Sequence, residues 1–170
     1  MDLTKVIKDV PDFPIKGVIF RDITPVLHDP DAFRAAVDSI TQKLKNVDFD
    51  YIAGPESRGY LFATPISYNM GKGFIPVRKA GKLPRECYRA EYDLEYGTAA
   101  IEIHKDSIKS GDKVVVVDDL LATGGTAKAV AELVESAGGE VVLYVFMIEL
   151  TFLNGRDMLK GYNVQSILTY

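Results

Sequence analysis

Four consecutive valines, Val114 to Val117, run directly into a carboxylate pair, Asp118 and Asp119, and then into the small-residue stretch Ala122-Thr123-Gly124-Gly125-Thr126. An unbroken β-branched run suits a strand covered on both faces, as in a parallel sheet, because a half-exposed strand alternates apolar with polar. A helical pattern follows the glycines at once, with Ala127, Val130, Ala131, Val134 and Ala137 recurring at helical spacing. Gly138-Gly139 closes that helix, and Val141 to Ile148 reads as the next buried strand. The unit is β-loop-α-β, with the carboxylates where the first strand should end. A small-residue loop at that place offers backbone N–H groups and a helix N-terminus to an anion, most often a phosphate.

The spacing excludes two common phosphate loops. No Gly-x-Gly-x-x-Gly is present, and no Gly-Lys-[Ser/Thr], so neither the dinucleotide fingerprint nor the P-loop applies. Thr123 and Thr126 flank the glycines and suit a terminal phosphate wrapped on several sides, while Asp118 and Asp119 are acceptors suited to sugar hydroxyls. A plain αβ turn whose aspartates cap the next helix would use the same residue types.

At 170 residues the chain is expected to form one domain, residues 1–170, with a sizeable core. Its net charge of −4 argues against general nucleic-acid binding. Yet Arg78, Lys79, Lys82, Arg85 and Arg89 face only Glu86 within the stretch 78–89, a local basic cluster that suits a small polyanion. The single cysteine, Cys87, allows no internal disulfide, and its basic neighbours make a lowered pKa conceivable. Charged residues near the start (Asp2, Lys5, Lys8, Asp9) leave no apolar core of signal-peptide type. The longest apolar run, 141–148, is too short to span a bilayer. A cytoplasmic protein without membrane or nucleic-acid partners is expected.

Taken in order, residues 1–28 hold Pro11, Pro14, Gly17 and Pro25, which prevent a long helix and leave an apolar flap or hood. Asp29-Pro30 then starts a helix with Phe33, Ala36, Val37, Ile40 and Leu44 as its buried stripe. Tyr51–Ala53 is a short strand. Gly54 to Gly59 forms a second small-residue loop on the same carboxyl edge, ahead of a helix reaching about Met70 and containing Pro65. Phe74–Val77 is a strand ending at Arg78-Lys79. Residues 79–98 lack an apolar period and suggest a structureless lid; Ala100–His104 alternates like a half-exposed strand, and Ile167-Leu168 closes the tail. Alternating strands and helices give an α/β fold with a mainly parallel sheet flanked by helices, its ligands at the carboxyl ends of the strands. His28 and His104 have no partner pattern and receive no role.

The string from Val114 to Thr126 resembles the phosphoribosyl pyrophosphate (PRPP) motif of type I phosphoribosyltransferases, in the form seen in the adenine phosphoribosyltransferase family. The resemblance extends through Pro11-Asp-Phe-Pro14, Gly17-Val-Ile-Phe-Arg-Asp22, Ser57-Arg-Gly59, Arg78-Lys79, Gly81-Lys-Leu-Pro84 and Leu94-Glu-Tyr-Gly97. Pro55-Glu56 departs from it, standing where the family often has Leu-Asp. The resemblance implies transfer of phosphoribose from PRPP to adenine, with magnesium bound mainly through substrate oxygens and water, and a homodimer. Carried over residue by residue, Ala122, Thr123, Gly124, Gly125 and Thr126 cradle the 5′-phosphate, and Asp118 and Asp119 bind the ribose hydroxyls. Direct metal ligation by the two aspartates is the less favoured alternative. Glu56 and Ser57, across a non-proline cis peptide, bind pyrophosphate with Arg78, Lys79 and Lys82. The Ile19 backbone, Phe20 and Arg58 receive the adenine. Glu95 does acid–base work from a mobile loop at about 79–98, and Tyr96 seats that loop. Enzymes of the same chemistry acting on oxopurines, and a catalytically silent nucleotide sensor, are the competing readings.

Overall fold

The computed structural model describes residues 1–93 and 97–170. Two short antiparallel strands, β1 (Lys8–Pro11) and β2 (Ile19–Asp22), form a separate two-stranded sheet within residues 1–28, the segment termed the hood. Helix α1 (Thr24–His28) leads to α2 (Pro30–Leu44). The Asp29 carboxylate caps α2 by accepting from the N–H groups of Asp31 and Ala32 at 2.9 and 3.0 Å, with Pro30 in the first turn, where a missing N–H costs nothing.

Next come β3 (Tyr51–Pro55), α3 (Arg58–Met70), β4 (Gly73–Lys79), β5 (Cys87–Asp93) and β6 (Thr98–His104). The remaining elements are β7 (Lys113–Leu121), α4 (Gly125–Ser136), β8 (Glu140–Glu149) and β9 (Val164–Thr169). Strands β3 to β9 form one sheet in the spatial order β5-β6-β4-β3-β7-β8-β9. Pairings among β4, β3, β7, β8 and β9 are parallel, and those that β6 makes with β4 and β5 are antiparallel.

The four valines explain why β7 lies in the interior of the sheet, between β3 and β8. Val115 and Val117 pack into a core with α2 and α3 on one face, and Val114 and Val116 into a core with α4 on the other. All four are buried, so the run is apolar on both sides because both sides are covered. Among the described residues no helix is long and apolar enough to cross a membrane.

Two expectations need correction. Strand β7 continues past the carboxylates to Leu121, because Leu120 and Leu121 still pair with Ile148 and Glu149 of β8. The stretch 79–98 is not structureless: Cys87–Asp93 is a strand paired with β6 along its whole length. Its apolar positions Tyr88, Ala90 and Tyr92 do alternate, and they pack in the core shared with α4. Charged residues between them hid that period.

A short helical segment, Gly155–Leu159, packs on the loop between β7 and α4. Arg156 anchors it by donating to both oxygens of the buried Glu149 at 2.6 and 2.7 Å and to the Val164 carbonyl at 2.9 Å. Backbone meets backbone here: a Cβ at Gly155 would lie 2.3 Å from the Ala122 carbonyl oxygen, and one at Gly124 would lie 2.4 Å from that of Gly155. Gly155→Ala is therefore expected to lower stability by about 1–3 kcal/mol, the usual cost of overpacking. Thermal and urea melts against the parent chain measure this.

Candidate active site

The carboxyl ends of β3 and β7 open on a cavity of about 370 Å³. One wall is the segment Pro55–Arg58, the opposite wall runs from Asp118 to Ala127, and Lys79, Tyr92, Ile101 and Phe146 complete the lining. All of Ala122, Thr123, Gly124, Gly125 and Thr126 contribute to it. Gly124 turns the chain into α4 with φ +88°, a left-handed conformation that suits glycine. The first-turn N–H groups of α4 have no intrahelical carbonyl partners, so this wall is a ready anion cradle.

Asp118 and Asp119 share the cavity but not the same surroundings. Asp119 is 4% exposed, and its Oδ2 meets the Arg58 Nε at 2.8 Å. Its backbone N–H donates to Asp118 Oδ1 at 2.8 Å. Asp118 retains some surface on the cavity, yet it is sunk in the protein mass, and desolvation followed by the charge of Asp119 pushes its carboxyl well above the ordinary range. Desolvation also raises Asp119, against the lowering pull of Arg58. Gly59, at the start of α3, permits this approach of loop to strand, since a Cβ there would lie 2.9 Å from Asp118 Oδ1.

Arg58 reaches further. Its guanidinium carbon lies 5.5 Å from the centroid of the Phe20 ring, within cation–π range. Phe13 packs edge-on against the same ring, with centroids 5.2 Å apart. Phe20 and Ile19 do not line the cavity; Arg58 joins the hood to it, and Ile19 is 50% exposed.

The basic residues form a chain rather than a cluster. The Glu56–Ser57 peptide is cis, as the resemblance implies. Glu56 Oε2 accepts from the Arg78 Nε and the Lys79 backbone N–H, each at 3.1 Å, and Arg78 Nη1 donates to the Lys82 carbonyl at 3.2 Å. Burial raises the Glu56 carboxyl, but these two donors outweigh it and hold it below its usual value. Glu56, Ser57 and Lys79 line the cavity, whereas Arg78 and Lys82 do not.

Glu95 and Tyr96 lie outside the described residues. Their neighbours on β5 reach the anion loop: a Cβ at Gly125 would be 3.5 Å from the Tyr92 ring and 3.7 Å from the Asp93 carbonyl. Tyr92, Ile101, Leu120, Leu121 and Phe146 are wall residues that sequence reasoning did not single out. Leu120 carried a usable signal, because strand alternation puts it on the side of Asp118. Tyr92 and Ile101 depend on the β5–β6 pairing. Cys87, whose basic neighbours suggested a lowered pKa, shows the reverse: burial and then Glu102 push its thiol up, while Arg85 pairs with Asp106 and Arg89 with Glu91. His104, its cross-strand partner, lies 3.7 Å away through Nδ1.

A family profile described as "Phosphoribosyl transferase domain" matches residues 26–150. The adenine phosphoribosyltransferase of Pseudothermotoga lettingae is 53% identical over 170 residues, covering 100% of both chains. Among solved structures, the adenine phosphoribosyltransferase of Thermoanaerobacter pseudethanolicus superposes with a TM-score of 0.97 at 52% identity, over 99% of this chain and 98% of that one. That of Saccharomyces cerevisiae, solved with an imino-altritol bisphosphate and adenine, gives 0.92 at 42% identity, over 96% and 94%. The chain belongs to the phosphoribosyltransferase family, in its adenine phosphoribosyltransferase branch.

Proposed function

We propose that the chain transfers the phosphoribosyl group of PRPP to adenine, giving AMP and pyrophosphate in purine salvage. The observation that carries this reading is a cavity whose one wall holds both an anion cradle and a carboxylate pair, joined by one guanidinium to an aromatic ring on the hood. Adenine N9 bonds to the anomeric carbon, the pyrophosphate leaves with the electrons of the broken C–O bond, and the N9 proton is lost. Positive charge develops on the ribose ring, and Asp118 and Asp119 offset it and hold the hydroxyls. Ala122 to Thr126 hold the 5′-phosphate. Ser57, Lys79 and, one residue before the end of β4, Arg78 serve the pyrophosphate with Lys82; Glu56 fixes the geometry of Arg78 and Lys79.

Phe20 offers a stacking face, Leu120 an apolar wall, and the Ile19 carbonyl an acceptor for the exocyclic amine of adenine. An oxopurine presents an oxygen there, and a mismatched buried polar group discriminates strongly. Glu95 provides acid–base catalysis and Tyr96 seats its loop. Magnesium enters chiefly on substrate oxygens and water, as is usual for this ion at phosphate sites. Among the described residues that line the cavity, Glu56, Asp118 and Asp119 are the carboxylates that would stand near the ion, and Glu56 and Asp119 are already paired with Arg78 and Arg58. The bound ion supplies charge neutralisation of the leaving group. A homodimer goes with the family, and the outer face of α3, where Leu61 is 39% and Tyr68 87% exposed, is a surface a second copy would cover. A cytoplasmic location accords with a single cysteine.

Product formation from PRPP, magnesium and each of adenine, hypoxanthine, guanine and xanthine tests the reaction. AMP from adenine alone is expected; turnover with an oxopurine would overturn the base site, and PRPP binding without turnover would favour a sensor. Glu95→Gln is expected to slow turnover by roughly a hundredfold, and a near-normal rate would remove Glu95 from catalysis. Asp118→Asn should also cost roughly a hundredfold in kcat while raising the melting temperature. The sign follows from the raised carboxyl: between its unfolded and folded values the native state binds more protons, so stability falls as pH rises through that window. Asp118→Asn should flatten this dependence in melts taken upward from about pH 4.

A further inference from the structure

Among the described residues the hood shares no strand pairing with the large sheet, yet in the proposed reaction it carries half of the base site. Two cation–π contacts join it to the body in opposite senses. At one, the body's Arg58 lies over the hood's Phe20. At the other, the hood's Arg21 lies over the ring of Tyr170, with its guanidinium carbon 4.0 Å from the centroid. Ile7 and Ile23, which flank the hood strands, are buried in the core, and the Arg21 contact adds a hold on the strand that presents Phe20.

The Arg21 contact is built from both sides. Tyr170 is fixed through its backbone: its N–H donates to the Glu149 carbonyl at 2.9 Å, and its own carbonyl accepts from Thr151 N–H at 2.9 Å and Thr151 Oγ1 at 2.7 Å. Its ring packs against the core shared with α2 and α3. Arg21 is 15% exposed in its side chain, pairs with Asp9 across the hood, and leaves its Nε buried without a hydrogen-bond partner. A desolvated guanidinium gains more from an aromatic face than an exposed one does. Arg21 directly follows Phe20, so fixing its side chain fixes the strand that presents the Phe20 ring and the Ile19 carbonyl.

Building on the adenine reaction proposed above, we propose that Tyr170 is a positioning residue for the base site: its ring holds Arg21, and through Arg21 the strand bearing Ile19 and Phe20. Tyr170 stands outside the cavity and touches no substrate in this scheme.

The experiment is steady-state AMP formation by the full chain, varying adenine at saturating PRPP and the converse, for the parent, Tyr170→Phe, Tyr170→Leu and Tyr170→Ala. Tyr170→Phe keeps the π face and should match the parent. Tyr170→Leu keeps apolar bulk without that face, and with Tyr170→Ala should raise the KM for adenine about threefold to tenfold, the scale of a lost cation–π contact. The KM for PRPP should stay within about twofold, since the anion cradle is anchored elsewhere. Parental constants for Tyr170→Leu would overturn the proposal. So would a joint rise of both KM values with a lowered melting temperature, or a Tyr170→Phe chain as impaired as Tyr170→Ala. A parent that makes no AMP from adenine would instead defeat the reaction itself, and the positioning role with it.

Discussion

One guanidinium stands where the parts of this molecule meet. Arg58 begins α3, immediately after the turn that leaves β3, and its Nε is the cation against which the buried Asp119 carboxylate is held. A carboxylate so deeply desolvated either finds a cation or takes up a proton, because an isolated buried charge is costly. The pair therefore couples the loop after β3 to the end of β7, which are the two walls of the cavity. The same guanidinium faces Phe20, so the hood is referenced to the same point. The carboxyl end of the sheet, the loop after β3 and the hood are three pieces of chain that share one cation.

The anion loop obtains its rigidity differently. Its glycines are not simply flexible positions, since Gly124 is pressed against the carbonyl of Gly155, and Gly155 against that of Ala122. With the segment 155–159 locked through Arg156 and Glu149, the loop has little room to rearrange. N–H donors held in place before the ligand arrives need no reorganisation when it does, which makes such donors effective toward a developing or transferred charge. Burying two carboxylates side by side works against stability, as their raised titration indicates. Chains depart from local consistency of this kind mainly at functional sites.

Much of the architecture follows from short stretches of sequence. The valine run dictates a strand buried on both faces, and the glycines after it dictate a turn into a helix, because both are local requirements of sterics and hydrogen bonding. Asp29-Pro30 fixes the start of α2 for the same reason. The same features put Ala122 to Thr126 and the two aspartates at the carboxyl end of that strand, and the cavity wall formed there includes all of them.

What the chain did not disclose locally depends on partners far away in sequence. The stretch 87–93 is a strand because β6 pairs with it and α4 covers its tyrosines, although its charged residues mask the alternation. Tyr92 and Ile101 enter the cavity wall only through that pairing. Cys87 lies among arginines in sequence, but folding commits Arg85 and Arg89 to carboxylates and partly desolvates the thiol beside Glu102, which pushes its titration up rather than down. Arg21 and Tyr170 are 149 residues apart (170 − 21), and no spacing rule connects them. The sequence alone thus determined the valine strand, the glycine turn after it and the start of α2, since these depend on neighbours in the chain. Tertiary structure decided which cation meets which carboxylate and how the hood is held, because burial and long-range contact set those interactions.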